Sequence, residues 1–148
     1  MVILLIRQAT AEDSAIVAEL AMLLWPDNNF ELLEKELQEL GTKEGVFIFL
    51  DENRAVAFAQ CSLRSDYVEG TESSPVGYLE GIYVKDEYRN KGIAKMLLAQ
   101  CEKWAKGQGC SEFASDCELD NTDSLNFHLK VGFQEANRII CFNKKLDR

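Results

Sequence analysis

At 148 residues, with 47% hydrophobic residues and two prolines, the chain has the size and composition of one globular domain over 1–148 with a sizeable core. Its formal net charge of −9 excludes a protein built to grip nucleic acid, whose phosphates demand a basic surface. Five cysteines (Cys61, Cys101, Cys110, Cys117, Cys141) in no Cys-x-x-Cys spacing read as reduced, mostly buried side chains of a cytoplasmic protein, with neither disulfides nor a metal expected.

The apolar opening, Met1 to Ile6, ends at Arg7. It is too short for a signal peptide or a membrane span and reads as a strand over Val2 to Arg7. Thr10, with Asp13 three residues on, is a variant capping box, after which Ile16, Leu20, Leu23 and Leu24 line a helical face. Trp25-Pro26 ends that helix, because the residue before proline avoids helical geometry. A second helix starts near Asn29, carries Phe30, Leu33, Leu37 and Leu40, and takes Gly41 as its C-cap. Val46 to Leu50 and Ala55 to Leu63 form a hairpin around the turn at Asp51-Glu52-Asn53-Arg54. Arg64 to Pro75 is a polar loop, of a length that in compact domains is often functional.

Gly77 to Val84 has the aromatic and β-branched character of a strand, Lys85 to Asn90 is a charged loop, and from Ile93 the spacing of Ile93, Leu97, Cys101 and Trp104 is helical. Cys110 to Ser115 is a further strand, a helix runs from the polar stretch at Asp120–Ser124 to about Lys130 and closes at Gly132, and Phe133 to Glu135 and Arg138 to Asn143 read as the last strands. The order β-α-α-β-β-β-α-β-α-β-β defines an α/β fold, a mixed central sheet with helices on both faces.

The joint Arg89-Asn90-Lys91-Gly92-Ile93-Ala94 has a physical use. The first N–H groups of a helix lack intrahelical partners and sit at the positive end of its dipole. Gly92 leaves them approachable, small Ala94 helps, and Arg89, Lys91 and Lys95 add positive charge. The result is a socket for a phosphate or pyrophosphate, or else a helix start with solvated charges. Neither the P-loop pattern nor Gly-x-Gly-x-x-Gly is present.

Arg-x-x-Gly-x-Ala after an apolar strand resembles the acetyl-CoA pyrophosphate motif of the GNAT superfamily of N-acyltransferases. Ser74 to Val84, Glu112 to Asp116 and Leu129 to Glu135 are similar to the aminoglycoside 6′-N-acetyltransferases of bacterial resistance, and the likeness covers most of the chain. The resemblance implies the GNAT fold, acetyl-CoA as co-substrate, a cationic aminoglycoside as acceptor, and often a dimer. It implies that the fourth and fifth strands splay to admit the pantetheine arm, and Gly81 inside the fourth strand marks either a bulge or close approach, or simply a weak point.

Direct acetyl transfer needs a neutral amine, a held oxyanion and a tolerable thiolate, with no protein nucleophile; the chain has no Ser-His-Asp pattern and one histidine. The resemblance gives the oxyanion to a backbone N–H of the fourth strand beside Gly81 to Tyr83, and makes Ile82, Tyr83 and Val84 candidates for contact with the co-substrate. Glu80, a carboxylate in an otherwise apolar strand, is expected either to take the ammonium proton, directly or through water, or to form a salt bridge across the sheet. The resemblance puts Asp116 where these acetyltransferases hold the antibiotic; its other reading is a helix cap or a solvated loop residue. Trp25, Tyr67 and Glu72 are candidates for the acceptor wall, with Glu69 below them, although Trp25 equally suits a core and Tyr67 a loop closure.

His128 stands where many GNAT enzymes carry a tyrosine proposed to protonate the thiolate, so it is a catalytic candidate or a structural histidine. Asn121 and Ser124 are candidates for pantetheine contact, Asn121 alternatively being an N-cap, and Lys130 is a candidate for a CoA phosphate or a plain surface lysine. The rival readings are a GNAT enzyme for a polyamine or a protein amine, and a non-catalytic acyl-CoA-binding module.

Overall fold

A computed structural model of the chain describes residues 4–147, in two compact units, Met1–Asp116 and Cys117–Arg148. The first unit contains strands β1 (Leu4–Gln8), β2 (Glu44–Asp51), β3 (Arg54–Arg64), β4 (Val76–Val84) and β5 (Phe113–Ala114), with helices α1 (Ser14–Leu24), α2 (Phe30–Gln38) and α3 (Ile93–Gly107). The second contains α4 (Thr122–Lys130). The strands follow chain order across a mixed sheet, antiparallel from β1 to β4 and parallel between β4 and β5.

Strand period decides which helix packs where. In β2, Val46, Ile48 and Leu50 join Phe58 of β3 and the α1–α2 residues Val17, Leu20, Ala21, Leu33 and Leu37 in one core cluster. On the other face a Cβ at Gly45 would lie 3.1 Å from the Trp104 ring of α3, so α1 and α2 cover one face and α3 the other. Phe58, Leu20 and Ile48 are among the largest fully buried side chains. Each contributes about 1.5–3 kcal/mol relative to exposure.

The start of α1 is held by charge. Asp13 accepts from Arg7 Nη1 (2.7 Å) and Nη2 (2.9 Å) and from the Thr10 N–H (2.8 Å), completing the expected capping box on a 3₁₀ turn over Ala11–Asp13. The Arg7 guanidinium, helped by the Thr10 N–H, holds the Asp13 carboxyl down at about 2.

Several expectations need correction. The inward face of α1 is Val17, Ala18, Leu20 and Ala21, whereas Ile16 and Leu23 are exposed. Isolated apolar residues on a helix surface are common, so apolar spacing alone misplaced the stripe. Helix α2 ends at Gln38 with Glu39 as C-cap, so Gly41 caps nothing. β1 runs to Gln8, with Val2 and Ile3 outside the described residues, and the fifth strand shrinks from Cys110–Ser115 to two residues. Among the described residues, 133–135 and 138–143 form no strand. Three cysteines are buried, while Cys117 and Cys141 are exposed.

Candidate active site

β4 organises the site because its pairing is interrupted on both sides. Toward β3 the register runs Gln60↔Gly81 and then Cys61↔Leu79, which leaves Glu80 as the extra residue of a β-bulge. The consequence is visible in the glycines: a Cβ on Gly77 would strike Phe113 (2.6 Å) and Ala105 of α3, whereas one on Gly81 would strike Trp25 (2.5 Å) and Leu24 of α1. Four residues apart on a regular strand they would face the same way; the bulge reverses them. The sequence expectation of a bulge or a close approach at Gly81 is met by both. Toward β5 the ladder is only Gly77↔Phe113 and Tyr78↔Ala114, so among the described residues Leu79–Val84 have no strand partner on that edge, as a splay of the two strands would leave them.

On the α1 face, beyond Trp25, lies a row of polar side chains at the ends of β3 and β4. Ser62 Oγ donates to Glu80 Oε1 (2.6 Å), and Arg64 donates to Oε1 from Nη2 (2.9 Å) and Nε (3.2 Å) and to Oε2 from Nη2 (3.0 Å). The same guanidinium lies 3.5 Å over the Tyr78 ring centroid, a cation–π contact. The Tyr78 hydroxyl donates to Asp116 Oδ2. Burial, then the bond to Asp116, raise the Tyr78 hydroxyl well above its ordinary range, so it remains a donor. The two expected carboxylates, Glu80 and Asp116, are thus brought together through Arg64 and Tyr78, and Glu80 makes the cross-sheet ion pair that was its alternative reading.

The proposed wall residues fall at different distances from this group. Trp25 is half-buried, its ring edge-on to Phe58 at 6.2 Å and filling the space over Gly81. Tyr67 is 76% exposed and follows the chain into Val68, which packs with Val76, Tyr78 and Ala114. Glu72 lies farther along the loop: its N–H donates to Glu112 Oε1 (2.8 Å), next to Ser73, at the start of β5. Sequence reasoning missed Ser62, Arg64 and Tyr78. A signal existed, the polar alternation Gln60, Ser62, Arg64 at the end of an apolar strand, but their meeting with Glu80 depends on the pairing register of β3 with β4.

At the other end of β4 lies the joint that the sequence offers as a socket. Ile82, Tyr83 and Val84 lead into the turn, where Arg89 Nε donates to the Val84 carbonyl (2.8 Å) and Arg89 pairs with Asp86 (3.0 Å). Asn90 (φ 63°) and Gly92 (φ 81°) are left-handed, and Gly92 is the N-cap of α3 with no side chain over the helix end. A Cβ there would meet nothing within 4 Å. The N–H groups of Ile93, Ala94 and Lys95 therefore lack a side-chain cap, with exposed Lys91 and Lys95 flanking them. Open donors, positive charge and a bare backbone fit a diphosphate.

In the second unit Asn121 is the N-cap of α4, its Oδ1 accepting from the Ser124 N–H (3.1 Å). His128 Nδ1–H donates to the Ser124 carbonyl (2.7 Å), and the ring lies 5.0 Å from Phe133. Lys130 is exposed in the last turn. Among the described residues no group of three His, Cys, Asp or Glu side chains is placed to hold a metal ion, and no helix is long and apolar enough to cross a membrane.

A gapped β4 edge running into an uncapped, basic helix start is the architecture of an acyl-CoA transferase. Residues 14–133 match the Acetyltransferase (GNAT) family, and the chain belongs to that family. It is 44% identical over 130 residues to the aminoglycoside N(6′)-acetyltransferase type 1 of Acinetobacter haemolyticus, covering 87% of this chain and 90% of that one. Among solved structures it resembles the aminoglycoside N-acetyltransferase AAC(6′)-Iy in complex with CoA, at 34% identity and TM-score 0.92 over 99% of this chain and 97% of that one. The same enzyme with the bisubstrate analogue CoA-S-monomethyl-acetylneamine matches at 35% identity and TM-score 0.90, over 97% and 99% of the two chains.

Proposed function

We propose that this protein is an aminoglycoside 6′-N-acetyltransferase that uses acetyl-CoA and thereby confers resistance. The observation that carries the reading is Glu80, raised out of the sheet ladder by the bulge and joined to Asp116 on the face beside the parted strands. Relatives and neighbours named for 6′-acetylation of aminoglycosides, one of them bound to a CoA–aminoglycoside conjugate, support it.

Acetyl-CoA supplies the acetyl group as a thioester. The residues assigned to hold its diphosphate are Arg89, Asn90, Lys91, Gly92, Ile93, Ala94 and Lys95, with the unpaired β4 edge at Ile82, Tyr83 and Val84 offering the backbone donor for developing oxyanion charge. Glu80 binds the acceptor ammonium and takes its proton; Asp116, Trp25, Tyr67 and Glu72 form the acceptor wall. From the second unit, Asn121, Ser124 and Lys130 are assigned to the pantetheine and phosphates and His128 to proton donation. Because its Nδ1 proton is committed to the Ser124 carbonyl, His128 gives a proton from Nε2 only as the imidazolium. The whole chain acts as one domain, in the cytoplasm, and as a homodimer to which the exposed Ile139, Ile140 and Phe142 contribute.

A thiol-release assay with acetyl-CoA and kanamycin or tobramycin, beside a polyamine and a lysine peptide, tests the function. Turnover of the aminoglycosides above the other amines is expected. Folded protein that binds acetyl-CoA and turns over none of the aminoglycosides would refute it.

A further inference from the structure

Arg64 has no task in the transfer described above, yet it joins the two carboxylates of the site. It is the last residue of β3, with its side chain 43% exposed. Its contacts on Glu80 are unequal. A carboxylate offers roughly four lone-pair sites. Oε1 accepts from Ser62 Oγ, Arg64 Nη2 and Arg64 Nε, whereas Oε2 accepts from Arg64 Nη2 alone among the described residues. Oε1 is therefore the anchored oxygen and Oε2 the one with capacity left to meet a ligand. The same guanidinium, stacked on Tyr78, backs the ring whose hydroxyl is bound to Asp116.

We propose that Arg64 is a positioning residue for the acceptor: it pins Glu80 through Oε1 so that Oε2 faces the incoming amine, and through Tyr78 it sets the spacing between Glu80 and Asp116. This rests on the assignment of the acceptor amine to Glu80. The guanidinium has a second, electrostatic effect. It sits between two acidic groups that attract a cationic acceptor and cancels part of their field. Arg64 thus favours turnover at the expense of acceptor affinity. A residue that merely stapled β3 to β4 would lose stability and both substrates together. Lysine retains the charge but cannot form the planar fork or the flat stack, so the two roles separate in the conservative variant.

Kinetics of Arg64→Met and Arg64→Lys in the full chain, calorimetric binding of a 6′-amino aminoglycoside at low salt, and acetyl-CoA thermal shifts test the proposal. For Arg64→Met, kcat is expected to fall by ~10–100-fold, in the range that misplacement of a reacting group produces, with acceptor Kd equal or tighter and the acetyl-CoA shift unchanged. Arg64→Lys is expected to restore the wild-type acceptor Kd and not the wild-type kcat. A kcat within about twofold of wild type, or acceptor and acetyl-CoA binding weakened in step with a lower Tm, would overturn it. A wild-type enzyme inactive on every aminoglycoside refutes the proposed function instead. A crystal structure of Arg64→Met decides the positioning claim by itself, since Glu80 found in an unchanged rotamer overturns it and Glu80 released from that rotamer supports it.

Discussion

Glu80 is a half-buried carboxylate that strand alternation sends to the same face as Tyr78, where it meets Ser62 and Arg64. The bulge leaves it outside the β3–β4 pairing and turns Gly81 toward Trp25 on that same face. Substituting Glu80→Gln keeps the shape and the Ser62 contact but removes the charge and the proton acceptor. Turnover of the aminoglycoside is expected to fall by roughly 10²–10⁴-fold, the usual contribution of a positioned acid or base, with acetyl-CoA binding intact. A steady-state kcat comparison checks this, and a loss of less than about threefold would remove Glu80 from the chemistry.

At the scale of elements, the two helix starts behave differently because one is closed and the other open. The 3₁₀ turn that leads into α1 is closed by Asp13, held by Arg7 and the Thr10 N–H. Its carboxyl is depressed from 3.8 to about 2, so its contribution is fully present above 3.8 and is lost as pH falls through about 2. The Asp13 side chain is 12% exposed and that of Arg7 40%. Discounting for solvent on the Arg7 side, Asp13→Asn is expected to destabilise by about 1–2 kcal/mol at neutral pH. The gap in Tm between variant and wild type should close as pH falls from 3.8 toward about 2; a gap that stays constant would contradict the pairing. The start of α3 is open, and its opening depends on the left-handed Gly92. Gly92→Ala meets no neighbour but strains the backbone by ~1–2 kcal/mol and puts a methyl at the socket. KM for acetyl-CoA is expected to rise by on the order of tenfold with acceptor KM unchanged. A rise in acceptor KM instead would move the diphosphate elsewhere.

Much at this scale was legible beforehand for local reasons. The uncapped start of α3 at Gly92, the Trp25-Pro26 stop, the hairpin and the Thr10–Asp13 cap are each written in a few neighbouring residues, as a glycine, a turn, a proline or a capping pair. The inward face of α1 was not, because Ile16 and Val17 are equally apolar and only packing against β3 and β4 chooses between them. Nor was the Ser62–Glu80–Arg64–Tyr78–Asp116 chain, since it depends on the register between strands whose partners are far apart in sequence. Glu80 and Asp116 were singled out one at a time, and what joins them was hidden.

For the whole molecule, the excess of acid and the basic start of α3 suit opposite charges. A formal charge of −9 attracts an acceptor carrying several ammonium groups, while the local cluster at Arg89, Lys91 and Lys95 is where the proposed function puts the anionic donor. The segment after α4 carries Ile139, Ile140 and Phe142 at 69%, 79% and 90% exposure, the apolar surface on which the proposed homodimer draws. The most direct measurement is acetyl-CoA thiol release with a pair of aminoglycosides that differ only in bearing an amine or a hydroxyl at the 6′ position. Release with the 6′-amine and none above background with the 6′-hydroxyl is the predicted result; equal release with both would place the acetyl group on another nitrogen and contradict the account.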